Sequence, residues 1–441
     1  MSRSDQVNLF RGWPSADLLP TERLKKAAVD ALSDPVVSAE GYGYGPDEGY
    51  LPLRENIARW LTDFYAPVQP IDSNRICITG GASQNLACIL QVFTDPIQTK
   101  HVWLANPTYH LVFQIFEDAG FYQRLGEIPE DEEGLDVNAL ALALEAFEKK
   151  LPADNEDTGH ENIKSPKPHR KSYRHVIYCV PTFSNPSNKT MSISRRESLV
   201  KIARKYDALI VCDDVYDFLP YPEFNNSLAQ SSLPRLVDID RFLNRGPRDR
   251  FGNVVSNGSF SKIIGAGCRV GWAEGTGDLV YGLSQTGSTR SGGSPSQLMS
   301  TFVNEILEDK SLQRHIADTI IPAGSRRYAL MTSAINEHLV PLGVTFLAGS
   351  EHYSVIGGYY VWIELPVPFN AAQVCKVALD HYNLVLGKEG LFTVPGTTPQ
   401  EDRQQHIRLC FMWEAEERLA EGVKRLGFVL RMLRENATFE K

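Results

Sequence analysis

The sequence predicts an α/β protein: a large domain with a mostly parallel central sheet flanked by helices, and a smaller α+β domain at the carboxyl end. Three observations carry this expectation. At 441 residues, the chain exceeds one ordinary domain. Short apolar runs alternate with helix-period segments until about residue 295, the pattern of strand–helix–strand units. Beyond that point long helical stretches enclose two further strand-like runs.

In chain order, RICIT (75–79), HVWLA (101–105), HVIYCV (175–180), ALIVC (208–212), NVVSNG (253–258) and VGWAEG (270–275) read as buried strands. Residues 50–65, 83–93, 109–119, 135–149 and 192–205 read as helices between them. Ser194 opens an S-R-R-E stretch, which suggests a capping box in which serine and glutamate satisfy each other's free amides. Helices through 295–337, strands YYVWIEL (359–365) and HIRLCFM (406–412), and a charged terminal helix over 414–435 form the second unit. The boundaries expected are an amino-terminal arm at 1–45 that packs with the small domain, a large domain at 46–310 and a small domain at 311–441. Two polar stretches, 153–172 and 224–252, read as peripheral surface insertions, the second holding one short helix around 235–243.

Composition narrows the function. Hydrophobic residues at 42% and charged residues at 22% are ordinary for a globular protein. A net charge of −9 is mild and argues against nucleic acid as a partner, which would require a concentrated basic face. Seven cysteines are scattered without a C-x-x-C pair, so free buried thiols in a reducing compartment are expected, with no structural zinc site. The amino terminus lacks a secretory core, and no apolar run approaches membrane-spanning length, which points to a cytoplasmic protein.

Five groups of residues are candidates for chemistry, each at the end of a predicted strand. Ser259-Phe260-Ser261-Lys262, followed by Arg269, places a lysine where burial lowers its pKa and frees its nucleophilic amine. Two hydroxyls before it and a guanidinium after it suit a phosphate dianion. Taken alone, the block is equally compatible with an exposed loop lysine. G-A-G-C-R-V-G (265–271) has one residue too many between its last glycines for a dinucleotide fingerprint, and no helix follows. Asp213, Asp214 and Tyr216 end the strand ALIVC. An aspartate there lies where α/β proteins place ligands, and its charge could hold a pyridinium nitrogen protonated. TGGASQN (79–85) offers the amides of Ala82 and Ser83 to a phosphate. NPTYH (106–110) places Tyr109 to stack on a planar ring, and VPTFSNPSNKT (180–190) is a turn carrying Asn185. Each of these alone reads better as turn chemistry or core filling, the strand-end aspartate as a turn cap; their order along the chain is what carries weight.

In that order these groups resemble a fold-type-I pyridoxal-phosphate-dependent aminotransferase of class I/II, with an aspartate-aminotransferase-like fold. The run Ser-Phe-Ser-Lys-Ile-Ile-x-x-Gly-x-Arg-x-Gly is similar to the branch of kynurenine and α-aminoadipate aminotransferases. The resemblance implies pyridoxal 5'-phosphate held as a Schiff base on Lys262, which also shuttles the proton at the substrate Cα. By the same resemblance Asp213 pairs with the pyridine nitrogen, Asn185 and Tyr216 bond the phenolic oxygen, and Tyr109 stacks on the ring. Ala82, Ser83, Ser259, Ser261 and Arg269 hold the phosphate, joined by Tyr44 from the neighbouring subunit of a homodimer with shared sites. Arg408, in HIRLCF, matches the arginine that grips the α-carboxylate, while Gly12 and Trp13, in LFRGWP, match a segment folding over the substrate. Two positions depart from the family: Asn188 stands where glycine is usual, and Ala82 where this branch often has serine.

The expected reaction exchanges an amino group between an amino acid and a 2-oxo acid, with aromatic or 2-aminoadipate-like side chains favoured. Trp13, Tyr42 and Tyr109 leave room for a bulky side chain, and Arg11 and Arg290 could meet a distal carboxylate. The rival within enzymes is a lyase or decarboxylase on the same cofactor, such as a carbon–sulfur lyase. A ligand-sensing regulator of this fold is disfavoured because the LFRGWP segment begins by residue 9, leaving no room for a DNA-binding domain ahead of it.

Overall fold

The computed structural model describes residues 5–151, 162–221, 233–347, 356–396 and 404–439; parts of both expected insertions, 153–161 and 224–232, lie outside these residues. The central sheet contains β1 (Ile76–Thr79), β2 (His101–Asn106), β3 (Leu125–Asp131), β4 (Gly134–Leu135), β5 (His175–Cys179), β6 (Ala208–Asp213), β7 (Val254–Ser259) and β8 (Gly271–Glu274). Its order is β1-β8-β7-β6-β5-β2-β3-β4. Strands β3, β2, β5, β6 and β7 run parallel, whereas β8 is antiparallel to both of its neighbours. Every residue of β5, β6 and β7 is buried, because helices cover both faces, and this is why their sequences are apolar runs rather than alternations.

All six strands expected in this sheet form. The strand β3 was not legible: LGEIPED buries only Ile128 and contains Pro129. Proline is tolerated because β3 lies near the sheet edge, paired beyond by the two-residue β4 alone. Helices fall where the apolar periodicity placed them, with two corrections. The helix Ile193–Lys205 is capped by Ser192, whose hydroxyl accepts the Arg195 amide; Ser194 sits inside the first turn and Arg195 stands three residues after the cap, so a single serine cap replaces the expected capping box. The stretch 109–119 becomes helix only from Val112, and continues as a π-turn to Phe121. A short helix does occupy Leu236–Phe242.

The carboxyl-terminal unit holds an antiparallel sheet of β9 (Thr345–Phe346), β10 (Tyr360–Glu364), β11 (Gly387–Lys388) and β12 (His406–Cys410), ordered β9-β10-β12-β11. Helices Ile321–His338 and Glu416–Phe439 pack together beside it. Near the amino terminus Val7–Asn8 pairs in parallel with Leu384–Val385, tying the first residues to this unit. Residues 9–18 meet the same unit, the Ser15 amide donating to the Met412 carbonyl and Asp17 pairing with Arg327, whereas helices Thr21–Ser33 and Pro35–Tyr42 pack against Gln297–Glu308. Among the residues of Thr21–Ser33 only Ala27 and Ala31 are buried, too faint an apolar stripe to read from sequence. Five cysteines are buried and Cys268 and Cys375 are half-buried, all seven as free thiols. No helix of the described residues is long and apolar enough to cross a membrane.

Candidate active site

The parallel strands β5, β6 and β7 end on one edge of the sheet, and the turns that follow them open into a cavity of about 440 Å³. Asp213, the last residue of β6, lines it. Its Oδ2 accepts a 2.7 Å hydrogen bond from the Tyr178 hydroxyl on the neighbouring β5. Its Oδ1 is buried without a hydrogen-bond partner. Burial raises the Asp213 pKa to about 6, against the lowering effect of the Tyr178 hydrogen bond and of Lys262. Asp214 points elsewhere, accepting a hydrogen bond from Ser256, and does not line the cavity.

Lys262 ends the 3₁₀ turn Phe260–Lys262 that follows β7. Its Nζ donates to the Gly12 carbonyl at 2.7 Å and lies 5.6 Å from the Tyr216 ring centroid. Burial lowers its pKa to about 8. The turn beneath it is held by the Tyr359 hydroxyl, which donates to the Lys262 carbonyl at 2.9 Å.

A second group gathers around the start of the helix Ala82–Phe93. Ala82, Ser83, Ser259, Ser261 and Arg269 all line the same cavity. Ser259 Oγ donates to Ser261 Oγ at 2.9 Å, and the Arg269 guanidinium reaches the Gly80 carbonyl. Gly81 has φ +94°, and a Cβ there would lie 2.7 Å from the Arg269 guanidinium, so only glycine lets arginine and helix terminus share this corner. Asn257 of β7 fixes the helix start by donating to the Ala82 carbonyl at 2.9 Å and accepting from Asn85 at 2.8 Å. The resulting corner combines a guanidinium, two hydroxyls and a helix N-terminus of twelve residues, a donor set suited to an anion.

Opposite lies Arg408 of β12, buried, with Nη1 donating to Asn185 Oδ1 at 2.7 Å and Nη2 to the Phe10 carbonyl at 2.8 Å. Its guanidinium rests 4.1 Å from the Tyr360 ring and 4.6 Å from the Phe392 ring, while its Nε is buried without a partner. Asn185 sits in the turn after β5, where Asn188 adopts φ +61°, the left-handed conformation asparagine tolerates in place of glycine. Tyr216 and Tyr109 complete the walls, and burial raises the pKa of both phenols, Tyr109's to about 12.

Trp13 lines the mouth, half exposed and edge-on to Trp413 at 5.7 Å. Arg11 lies over both indoles, at 4.7 and 4.8 Å. Three candidates are not brought to this cavity within the chain. Tyr44 is 90% exposed, Tyr42 is exposed on the same stretch, and Arg290 reaches toward Asp47 at 3.9 Å on the surface. The glycine-rich 265–271 leads through a 3₁₀ turn into β8, with no helix after it. Sequence reading missed Tyr178, Tyr360, Phe10 and His110. Tyr178 lies near the end of the expected strand HVIYCV, and Phe10 and His110 adjoin the singled-out Arg11 and Tyr109, so position along the chain was a signal for these three; Tyr360 lacked one, since contacts between distant segments place it.

Residues 4–426 match the family model for aminotransferase class I and II. The chain belongs to this family. The aminotransferase is 36% identical over 96% of its length to an uncharacterised protein of Saccharomyces cerevisiae, YER152C, covering 96% of that chain too. It is 28% identical to aromatic-amino-acid aminotransferase 1 of Thermococcus litoralis, over 96% of this chain and 88% of the relative. The crystal structure of Pyrococcus horikoshii kynurenine aminotransferase, with PMP, kynurenine and its product, superposes with a TM-score of 0.77. That match has 25% identity and covers 98% of this chain and 92% of the other. The fold is therefore the aspartate-aminotransferase-like fold, and the cofactor is pyridoxal phosphate. The cavity fits that group: a protonated ring nitrogen would satisfy the orphaned Asp213 Oδ1, and the anion-suited corner lies on the same cavity.

Proposed function

We propose that this transaminase takes an aromatic amino acid as amino donor, and that its residues share the work as follows. Arg408 clamps the α-carboxylate, its planar fork pre-set by Asn185 and Phe10. Arg269, Ser259, Ser261, Ser83 and the Ala82 amide hold the cofactor's phosphate, and Tyr109 covers its ring. Asp213 holds the ring nitrogen's proton, while Asn185 and Tyr216 bond the phenolic oxygen. When bound, pyridoxal phosphate supplies the electron sink for bond breaking at the substrate Cα. Lys262 would hold the cofactor covalently and, once the substrate's amine displaces it, its freed amine would carry the proton to and from Cα, a task suited to an amine whose pKa burial has brought to about 8. Gly12 and Trp13 close the site above the substrate.

The observation that carries the substrate reading is the wall of Phe10, Trp13, Tyr109, His110 and Leu111, an apolar and aromatic lining with room for a ring. His110 stays neutral near pH 7, burial and Arg408 holding its pKa at about 4. Arg11 favours a second class, dicarboxylic amino acids such as 2-aminoadipate, because it lines the cavity with no carboxylate partner among the described residues. A half-reaction screen of amino acids, kynurenine and 2-aminoadipate, followed by loss of the bound cofactor's absorbance, tests both. Aromatic substrates should react fastest, and Arg11→Gln should cost dicarboxylic donors about tenfold or more while sparing phenylalanine. Uniform loss across both classes would remove Arg11 from recognition, and no reaction with any aromatic donor would end the aromatic reading.

A homodimer with shared sites and a cytoplasmic location belong to the same reading. Seven free thiols support a reducing compartment. Tyr44, Tyr42, Val36 and Leu51 expose apolar surface on neighbouring segments, supporting an interface through which Tyr44 reaches the partner's phosphate. Tyr44→Phe should weaken cofactor binding by about 1.5–3 kcal/mol, one hydrogen bond to a charged group. Mixed dimers of Lys262→Ala and Tyr44→Phe would contain one site with both defects and one with neither. Activity above the parents' average is the expected result; verified heterodimers at the average would leave Tyr44 outside the site.

A further inference from the structure

We propose that Tyr360 is a positioning residue for Tyr216, donating its hydroxyl proton so that Tyr216's own proton is free for the cofactor's phenolic oxygen. The two hydroxyls are 3.2 Å apart and both side chains are buried. A phenol has one proton to give. If Tyr216 spends its proton on the cofactor, as the reading above has it, the hydrogen bond between the pair can only run from Tyr360 to Tyr216. Donation into the Tyr216 oxygen polarises it and strengthens its own donation, since hydrogen bonds in a chain reinforce each other.

The surroundings fix Tyr360 for this role. Its strand β10 pairs with β12, Tyr360 opposite Cys410, and its ring packs 4.1 Å from the Arg408 guanidinium. On the far side lies the segment that closes the site: a Cβ at Gly12 would fall 2.0 Å from the Tyr360 hydroxyl oxygen. Gly12 is thus glycine because that hydroxyl occupies the space a side chain would need. The same Gly12 offers its carbonyl to Lys262 Nζ at 2.7 Å. The closing segment, the lysine and the phenol pair therefore meet at one point. The charged and titratable groups facing the pair are Arg408 and Cys410 from β12, Asp213 from β6, Lys262 after β7, and the phenols of Tyr109 and Tyr359. Among the described residues Tyr216 is the hydrogen-bond partner of the Tyr360 hydroxyl.

The test is a pH titration of the resting holoenzyme's visible absorption band, which reports the bound cofactor without turnover. Tyr360→Phe keeps the ring and its contact with Arg408 but removes the proton. The midpoint should rise by about half to one pH unit, the shift expected from losing one ordinary hydrogen bond. Tyr216→Phe should move it further, and Tyr360→Phe should add nothing on the Tyr216→Phe background, because the first acts only through the second. The KM for the amino acid should stay near its starting value in Tyr360→Phe and rise in Tyr360→Leu, which loses the stacked face under Arg408. An unmoved midpoint in Tyr360→Phe, with Tyr216→Phe shifted, overturns the proposal alone. A midpoint that neither variant moves overturns it together with the assigned role of Tyr216, and additive shifts in the double variant overturn the claim that Tyr360 works through Tyr216.

Discussion

Lys262→Ala is expected to lower turnover by about 10²- to 10⁴-fold, the range over which a positioned proton carrier acts. The substitution removes the one amine among the residues lining the cavity. It also leaves the Gly12 carbonyl without its donor, so part of the loss should appear as a higher KM through a looser closing segment. Borohydride treatment of the native holoenzyme should fix the cofactor to the peptide containing Lys262, and an adduct mapped to any other lysine would refute the assignment. The depressed pKa has its own signature in the cofactor-free protein. With a value of about 8, roughly one amine in ten is unprotonated at pH 7, against about one in three thousand at the ordinary lysine value. The rate of cofactor capture should therefore climb about tenfold per pH unit below 8 and level off above it. A rate still climbing tenfold at pH 9 would mean that burial does not perturb Lys262.

How much of this was legible follows from how each residue is positioned. Asp213, Ser259 and Lys262 end or follow buried parallel strands, and such strands announce themselves as apolar runs whose carboxyl ends share one edge. Their meeting at one cavity could therefore be expected before their distances were known. Arg408 was readable for the same reason, at the centre of the apolar strand HIRLC. Tyr360 lies in an equally clear strand, yet its hydroxyl matters only because Gly12 and Tyr216, 348 and 144 residues away, converge on it. Sequence periodicity reports which face of an element is buried, not which distant segment covers it. The edge strand Leu125–Asp131 and the helix Thr21–Ser33 escaped for the opposite reason: each buries so little that its pattern resembles a loop's.

Asp213→Asn is the second large effect, expected to cost at least about a hundredfold in turnover, or about 2.7 kcal/mol of barrier. The fold should survive, because asparagine keeps the shape and its Oδ1 can still accept from Tyr178. What would be lost is the negative charge proposed to keep the ring nitrogen protonated. The pH dependence separates charge from shape. Burial lifts the Asp213 pKa to about 6 in the cofactor-free protein, so the carboxylate proposed to bind the ring nitrogen is lost as pH falls through that value. Cofactor affinity should accordingly fall between about pH 7 and 5, and this acid limb should be missing in Asp213→Asn, which has no carboxylate to titrate. Tyr178→Phe removes the 2.7 Å donor that opposes the upward shift, so its acid limb should move to higher pH while the maximal affinity changes less. The neighbouring carboxyl is the control. Asp214 is turned to Ser256 and stays outside the cavity, so Asp214→Asn should leave the acid limb where it was. An Asp214→Asn enzyme that loses the limb, beside an Asp213→Asn enzyme that keeps both limb and turnover, would transfer the role from Asp213 to Asp214.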